Sequence, residues 1–178
     1  MTVLVGYTTV EGQTRRIAEA IAKRIEAKGE RVALLDIGSN AEYELERPRA
    51  VILCAPVHTG SYPQPFRRFV AQEKDWLNAL DSALVSVSLL ITSHDAEEKA
   101  EAMNYPDALI AESGWLPRQV HHAAGALKFA EYDFFKRWMA RRVLAKDRSS
   151  GKAKVDHEFT DWKALEGFVD EFLATTGC

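Results

Sequence analysis

Residues 2–17 read TVLVGYTTVEGQTRRI. The apolar run TVLVGY (2–7) predicts a short strand. The run TRRIAEAIAKRIEAKG (14–29) predicts a helix, with Ile17, Ala20, Ile21 and Ile25 at helical spacing and Gly29 as its stop. Between them lies a loop rich in hydroxyl and amide groups that runs straight into a helix N-terminus. Free backbone N–H groups and the helix dipole make that arrangement a seat for a phosphate. Glu11 stands in the middle of it, an anion where an anion is least expected.

Outward from this stretch, apolar runs alternate with helical patterns. Residues 31–36, 50–55, 83–90 and 118–125 read as four further strands, and 13–28, 64–79 and 95–112 as helices. The middle strands are apolar on both faces, as parallel strands covered by helices on both sides must be. The alternation predicts a doubly wound α/β sheet with right-handed crossovers. In such a sheet, ligands sit at the carboxyl ends of the strands beside the topological switch point, and the loop 7–14 occupies that position. The segment 161–173 supplies the closing helix, with Thr160 as its expected N-cap. A second helical run, YDFFKRWMARRVLAKDR (132–148), falls in the same gap and is surplus to the topology.

Three phosphate-binding loops are excluded by spacing. GxGxxG fails because the loop has only Gly6 and Gly12. GxxxxGK(S/T) fails because the spacing is one residue too long and Gln13 replaces the lysine. A receiver domain needs acids at the ends of strands one and three, where this chain has Tyr7-Thr8 and Cys54-Ala55. What remains is a cradle made of backbone N–H groups, the Thr9 and Thr14 hydroxyls and the Gln13 amide. With no cationic side chain or metal ligand, it suits a terminal phosphate monoester on a cofactor that stays bound. An ordinary strand-to-helix turn is the plainer alternative.

The segment resembles the FMN-phosphate loop of the flavodoxins, roughly (S/T)-x-T-G-x-T, through Thr9, Gly12 and Thr14, with Gln13 where Asn is usual. Glu11 replaces the Thr of the electron carriers. The EGQT so formed is similar to the DGQT of one branch, the menaquinone-dependent protoporphyrinogen IX dehydrogenases. That likeness extends over PVHTGSYPQPFRRFV (56–70), SVSLL (86–90), GWLP (114–117), AGALKFAEYDFFKRWM (124–139) and FTDWKAL (159–165). The stretch ARRVLAKDRSS (140–150) departs from it, being less apolar. The resemblance implies a flavodoxin-like three-layer α/β/α sandwich, a five-stranded parallel sheet of order 2-1-3-4-5, and an extra helical insert at about 126–158. The whole chain, 1–178, is then one FMN-binding domain.

The resemblance also implies cofactor contacts. Thr9, Val10, Glu11, Gly12, Gln13 and Thr14 would hold the phosphate. There the Glu11 carboxylate points to water or pairs with Arg15 or Arg16. Pro56, Val57, His58, Thr59, Gly60 and Tyr62 would form one ring loop, and Ser88, Leu89 and Leu90 the second. Gly125, Ala126 and Leu127 would lie at the cofactor edge. Tyr62 could stack or hydrogen-bond there. His58 is either a proton-transfer group or a solvent-facing loop residue. No aromatic follows Leu90 directly, although Tyr105 could fold back. His121 and His122 fall on opposite faces of strand five, one of them a core histidine. No residue is singled out as the catalytic acid or base.

The activity implied is FMN-dependent oxidation of protoporphyrinogen IX with a membrane quinone, such as menaquinone, in heme biosynthesis. A flavodoxin-type electron carrier and an NAD(P)H:quinone reductase are the alternatives. Residues 128–154 hold nine Lys/Arg against three Asp/Glu, while the whole chain carries −3. This basic, aromatic stretch, with Lys136, Arg137, Arg141 and Arg142, fits an anionic membrane surface or a propionate-bearing substrate equally well. Neither nucleic acid nor a metal is expected, because the five histidines show no ligand spacing. Two cysteines are too few for a disulfide framework. The apolar start is too short for a leader, so the expected place is the cytoplasm, against the inner face of the cell membrane where a quinone is met.

Overall fold

The computed structural model describes residues 2–39, 48–127 and 157–176. Five parallel strands form one sheet: β1 (Thr2–Tyr7), β2 (Arg31–Asp36), β3 (Ala50–Pro56), β4 (Asp81–Val87) and β5 (Gln119–Ala123), in the order β2-β1-β3-β4-β5. The helices are α1 (Gln13–Ala27), α2 (Gln64–Asn78), α3 (Ala96–Ser113) and α4 (Trp162–Thr175). The register places Val3 beside both Val32 and Ala50, so β1 lies between β2 and β3 and the chain reverses its winding between β1 and β3. The crevice of the sheet therefore opens where β1 and β3 end, at Tyr7 and Pro56.

Strand alternation divides the core into two layers. Val3, Val5, Tyr7, Ile52, Cys54 and Val85 pack with Ile17, Ile21 and Ile25 of α1 and Leu165, Val169 and Phe172 of α4. Leu4, Val51, Leu53 and Leu84 pack with Phe66, Phe69 and Leu77 of α2 and Leu109 of α3. Burying each Leu, Ile or Phe fully contributes on the order of 2 kcal/mol, and these two layers hold the sheet between its helices. Gly6 is a packing residue: a Cβ there would come within 2.7 Å of Leu53 Cδ2 and 3.1 Å of Ile37 Cδ1. Trp115, fully buried, donates its indole N–H to Ser82 Oγ at 3.0 Å and pins the turn before β5 to the start of β4.

Helix α1 ends in a Schellman turn. Gly29 N–H donates to Glu26 O at 2.9 Å and Glu30 N–H to Ile25 O at 3.3 Å, with Gly29 at φ 87°. On its outer face Arg24 and Lys28 meet Asp170 of α4 at 2.6 and 3.0 Å. The Arg24 hydrogen bond, then that of Lys28, lowers the Asp170 carboxyl to about 2.

The structure departs from the sequence expectations at several boundaries. Strand β4 ends at Val87, not at 90, because Ser88 Oγ accepts the Leu90 N–H and a 3-10 turn follows at Leu90–Thr92. Strand β5 ends at Ala123. Helix α3 begins at Ala96, capped by Asp95, whose carboxylate accepts the N–H groups of Glu97 and Glu98. The cap of α4 is Asp161, which accepts from Ala164 N–H at 2.9 Å; the Thr160 hydroxyl is engaged elsewhere. Two short strands were not anticipated. β6 (Ala126–Leu127) and β7 (His157–Glu158) pair antiparallel beyond the end of β5. The surplus basic helix expected at 132–148 lies outside the described residues.

Candidate cofactor site

The exits of β1, β3, β4 and β5 are stitched together by main-chain bonds. Thr8 N–H donates to Cys54 O (3.1 Å), Val57 N–H to Val87 O (2.8 Å) and Ser88 N–H to Ala123 O (3.0 Å). These ties bring the loops 8–12, 57–61, 88–92 and 124–127 along one edge of the sheet. Every loop singled out from sequence lies on that edge.

The first loop is built as an anion cradle. Gly12 stands at the N-cap of α1 with φ 92°, a left-handed conformation that favours glycine, and no side chain caps the helix. The first main-chain bond of the helix comes from Arg16 N–H to Gly12 O, so the N–H groups of Gln13, Thr14 and Arg15 begin the helix without a cap. Thr9 Oγ1 accepts the Gly12 N–H at 2.8 Å and keeps its own proton to donate. Thr14 is buried, Val10 is exposed, and Glu11 is half-buried. Neither arginine pairs with Glu11: Arg15 binds Glu19 at 2.8 Å and Arg16 binds Glu158 at 3.3 Å. Thr8, 3% exposed, has a hydroxyl with no hydrogen-bond partner. An uncapped helix start and, on the same loop, an orphaned buried hydroxyl are a donor set that fits a phosphate, whose oxygens accept only.

Gln13 does not behave as its motif position suggests. Its side chain is buried, and Nε2 donates to Glu158 Oε1 (2.8 Å) and Thr160 Oγ1 (2.9 Å) while Oε1 accepts from Arg16 (3.2 Å). Thr160 in turn donates to Ala124 O at 2.8 Å, and Phe159 N–H donates to Gly125 O at 3.3 Å. The amide of Gln13 thus ties the start of α1 to β7 and to the end of β5.

The second loop is a tight turn. His58 and Ser61 exchange main-chain bonds, with Thr59 at φ 48° and Gly60 at φ 82° between them. Two successive positive φ values define a type I′ turn, and Thr59 is a β-branched residue held where such residues are rarely found. Strain of this kind concentrates at ligand sites. His58, Thr59 and Gly60 are exposed, Pro56 and Val57 half-buried. Tyr62 differs: it is 3% exposed, tilts against Phe66 and donates to Ser86 Oγ at 2.7 Å. Its ring belongs to the core and its hydroxyl is already committed, with burial raising its pKa.

Ser88 is buried, and Leu89 and Leu90 are half-buried at the β4 exit. Tyr105 of α3 has partners of its own. It packs against the core layer holding Tyr62 and Phe66, and donates to Glu101 at 2.6 Å; burial, then that bond, raises its hydroxyl to about 12. Gly125 is buried beside Val87 and Leu89, and Ala126 and Leu127 continue as β6. His121 and His122 do face opposite ways: His121 stacks on Phe168 of α4 at 4.9 Å, while His122 feels Asp107 of α3. Burial lowers both imidazoles, and neither is fully buried. Burial pushes the Cys54 thiol far up, so it is no nucleophile. Among the described residues no His, Cys, Asp and Glu gather as a metal-ligand set. Lys136, Arg137, Arg141 and Arg142 lie outside the described residues. Sequence reasoning missed Thr8, Glu158 and Thr160; only contacts between distant parts of the chain mark them.

Comparison with known proteins agrees with this geometry. The family described as Flavodoxin domain matches over residues 4–153. The protoporphyrinogen IX dehydrogenase [quinone] of Escherichia coli K12 is 25% identical, covering 99% of this chain and 97% of that one. The Leishmania major protein of the same name is 28% identical, covering 94% of this chain and 73% of its own. Among solved structures, a short-chain flavodoxin associated with a bacterial microcompartment superposes with a TM-score of 0.57 over 99% of both chains at 14% identity. No described helix is long and apolar enough to cross a membrane.

Proposed function

The chain belongs to the flavodoxin domain family, and on that premise we propose that it binds FMN and oxidises protoporphyrinogen IX to protoporphyrin IX, with a quinone as electron acceptor. A flavin-dependent oxidoreductase is supported by the family and by the names of its relatives. The observation that carries the cofactor is the uncapped start of α1, with the unpartnered Thr8 hydroxyl on the loop that leads into it. The specific reaction rests on the near full-length likeness to the two dehydrogenases.

FMN would supply the hydride and electron chemistry. The protein supplies position. The main-chain N–H groups of Gln13, Thr14 and Arg15, with the hydroxyls of Thr8, Thr9 and Thr14, would hold the phosphate. The Glu11 main chain would contribute an N–H while its carboxylate stays at the surface. The type I′ turn at 58–61 and the turn at 88–92 would frame the ring, with Gly125 at its edge. The Tyr62–Ser86 pair would brace the first of these turns from below, and no proton leaves it near neutral pH because burial holds the phenol up. His58, exposed on that turn, would be the group that exchanges a proton with solvent. Tyr105 of α3 is engaged with the core layer and with Glu101. Substrate oxidation releases six electrons and six protons, reducing three quinones to quinols. The basic stretch holding Lys136, Arg137, Arg141 and Arg142 would meet either the propionates or the anionic membrane that holds the quinone.

Anaerobic incubation of the flavin-loaded protein with protoporphyrinogen and a menaquinone analogue tests this reading. Porphyrin fluorescence should rise only when both are present. Flavin reduction by NAD(P)H with no porphyrin formed would favour the reductase alternative and overturn the proposed substrate.

A further inference from the structure

The Gln13 side chain is buried and its donors are spent on Glu158 and Thr160, which stand where the chain returns from residues 128–156. Its main-chain N–H opens the uncapped turn of α1. One residue therefore faces two ways. We propose that Gln13 and Glu158 are positioning residues that couple occupancy of the phosphate cradle to the seating of the β6–β7 pair, rather than Gln13 serving as a phosphate ligand through its amide. This rests on the reading of the cradle as an FMN-phosphate site.

The physical link is short. A phosphate on the N–H groups of residues 13–15 fixes the first turn of α1 and with it the base of the Gln13 side chain. That side chain holds Glu158 at 2.8 Å and Thr160 at 2.9 Å, and Thr160 and Phe159 hold Ala124 and Gly125. Arg16 closes the ring by bonding both Gln13 and Glu158. Coupling is reciprocal, so whatever phosphate adds to the seating of β7, the seated β7 adds to phosphate affinity.

This makes a prediction opposite in sign to simple electrostatics. Glu158 is an anion near a site for a dianion, and removing it also frees Arg16. Field effects alone would have Glu158→Ala raise FMN affinity. Coupling through the network has Glu158→Ala lower it, by about fivefold for the loss of roughly one hydrogen bond's net worth. Gln13→Asn, one methylene too short to reach Glu158, lowers it similarly, and the double variant is no weaker than either single one.

The test titrates FMN and riboflavin, which lacks the phosphate, by flavin fluorescence, and follows amide hydrogen exchange with each ligand bound. The wild type should show extra protection of residues 124–127 and 157–160 with FMN over riboflavin. Both variants should lose that increment and keep riboflavin affinity. Unchanged or raised FMN affinity in Glu158→Ala overturns the coupling. So does a loss confined to Gln13→Asn, which would make the amide a direct ligand. A wild type that binds neither flavin overturns the FMN reading itself, and the coupling with it.

Discussion

Replacing Thr8 by Val should stabilise the flavin-free protein and weaken its hold on FMN. Thr8 is 3% exposed and its hydroxyl has no partner. A buried donor left unpaired costs about 1–3 kcal/mol. Valine keeps the branched shape and removes the polar atom, so the free protein should gain about 1–2 kcal/mol. For a chain of this length that is a rise in Tm of about 2–4 °C per kcal/mol. If the hydroxyl serves the phosphate, the variant loses a hydrogen bond to a charged group, worth about 1.5–3 kcal/mol. FMN affinity should then fall by about 10- to 100-fold, at 1.4 kcal/mol per decade. Urea unfolding without ligand, and fluorescence titration with FMN and riboflavin, measure the two effects separately. The midpoint should shift with an unchanged m-value. A free protein destabilised by the substitution would show that the hydroxyl has a partner after all. Equal weakening toward both flavins would place it away from the phosphate. Either result refutes the reasoning.

Gly12→Ala puts a side chain at φ 92° and should cost about 1–2 kcal/mol of stability by urea unfolding, with FMN binding weakened more than riboflavin binding. Trp115→Phe removes the indole bond to Ser82 and leaves that buried hydroxyl unpaired, costing about 2–4 kcal/mol with no change in the bound-flavin spectrum. Asp170 has its folded pKa lowered to about 2 from 3.8 by Arg24 and Lys28, so the unfolded chain takes up its proton first as pH falls. Its stabilisation is present above the ordinary carboxylate range and is lost as pH falls through about 4 toward about 2. Thermal scans against pH should show wild type and Asp170→Asn converging in acid and separating near neutrality, the gap narrowing with added salt.

Much of the fold was legible because periodicity reports burial. β1, β3 and β4 are buried along nearly their whole length, and their sequences are mostly apolar. Misplaced boundaries fell where a local hydrogen bond competes with an apolar pattern. Ser88-Leu89-Leu90 reads as strand by composition, but the Ser88 hydroxyl captures the Leu90 N–H and turns the chain. Thr160 and Asp161 are both good caps, and tertiary contact decides between them: Thr160 is drawn to Gln13 and Ala124, leaving Asp161 to the helix. Gln13 and Glu158 are 145 residues apart, and no local pattern reveals such a pairing. Tyr62 follows a Gly turn, and the sequence leaves it either a ring contact or a buried core residue. Its partner Ser86 lies one strand over, which only the sheet register discloses.

On the proposed reading, the cradle after β1 holds FMN for porphyrinogen oxidation. The most direct measurement loads purified protein with FMN and adds protoporphyrinogen anaerobically with a menaquinone analogue, recording porphyrin emission against bound flavin. Yellow flavin should be stoichiometric and porphyrin should form over many turnovers, with three quinones reduced per porphyrin. Full flavin occupancy with no quinone-dependent porphyrin would contradict that reading.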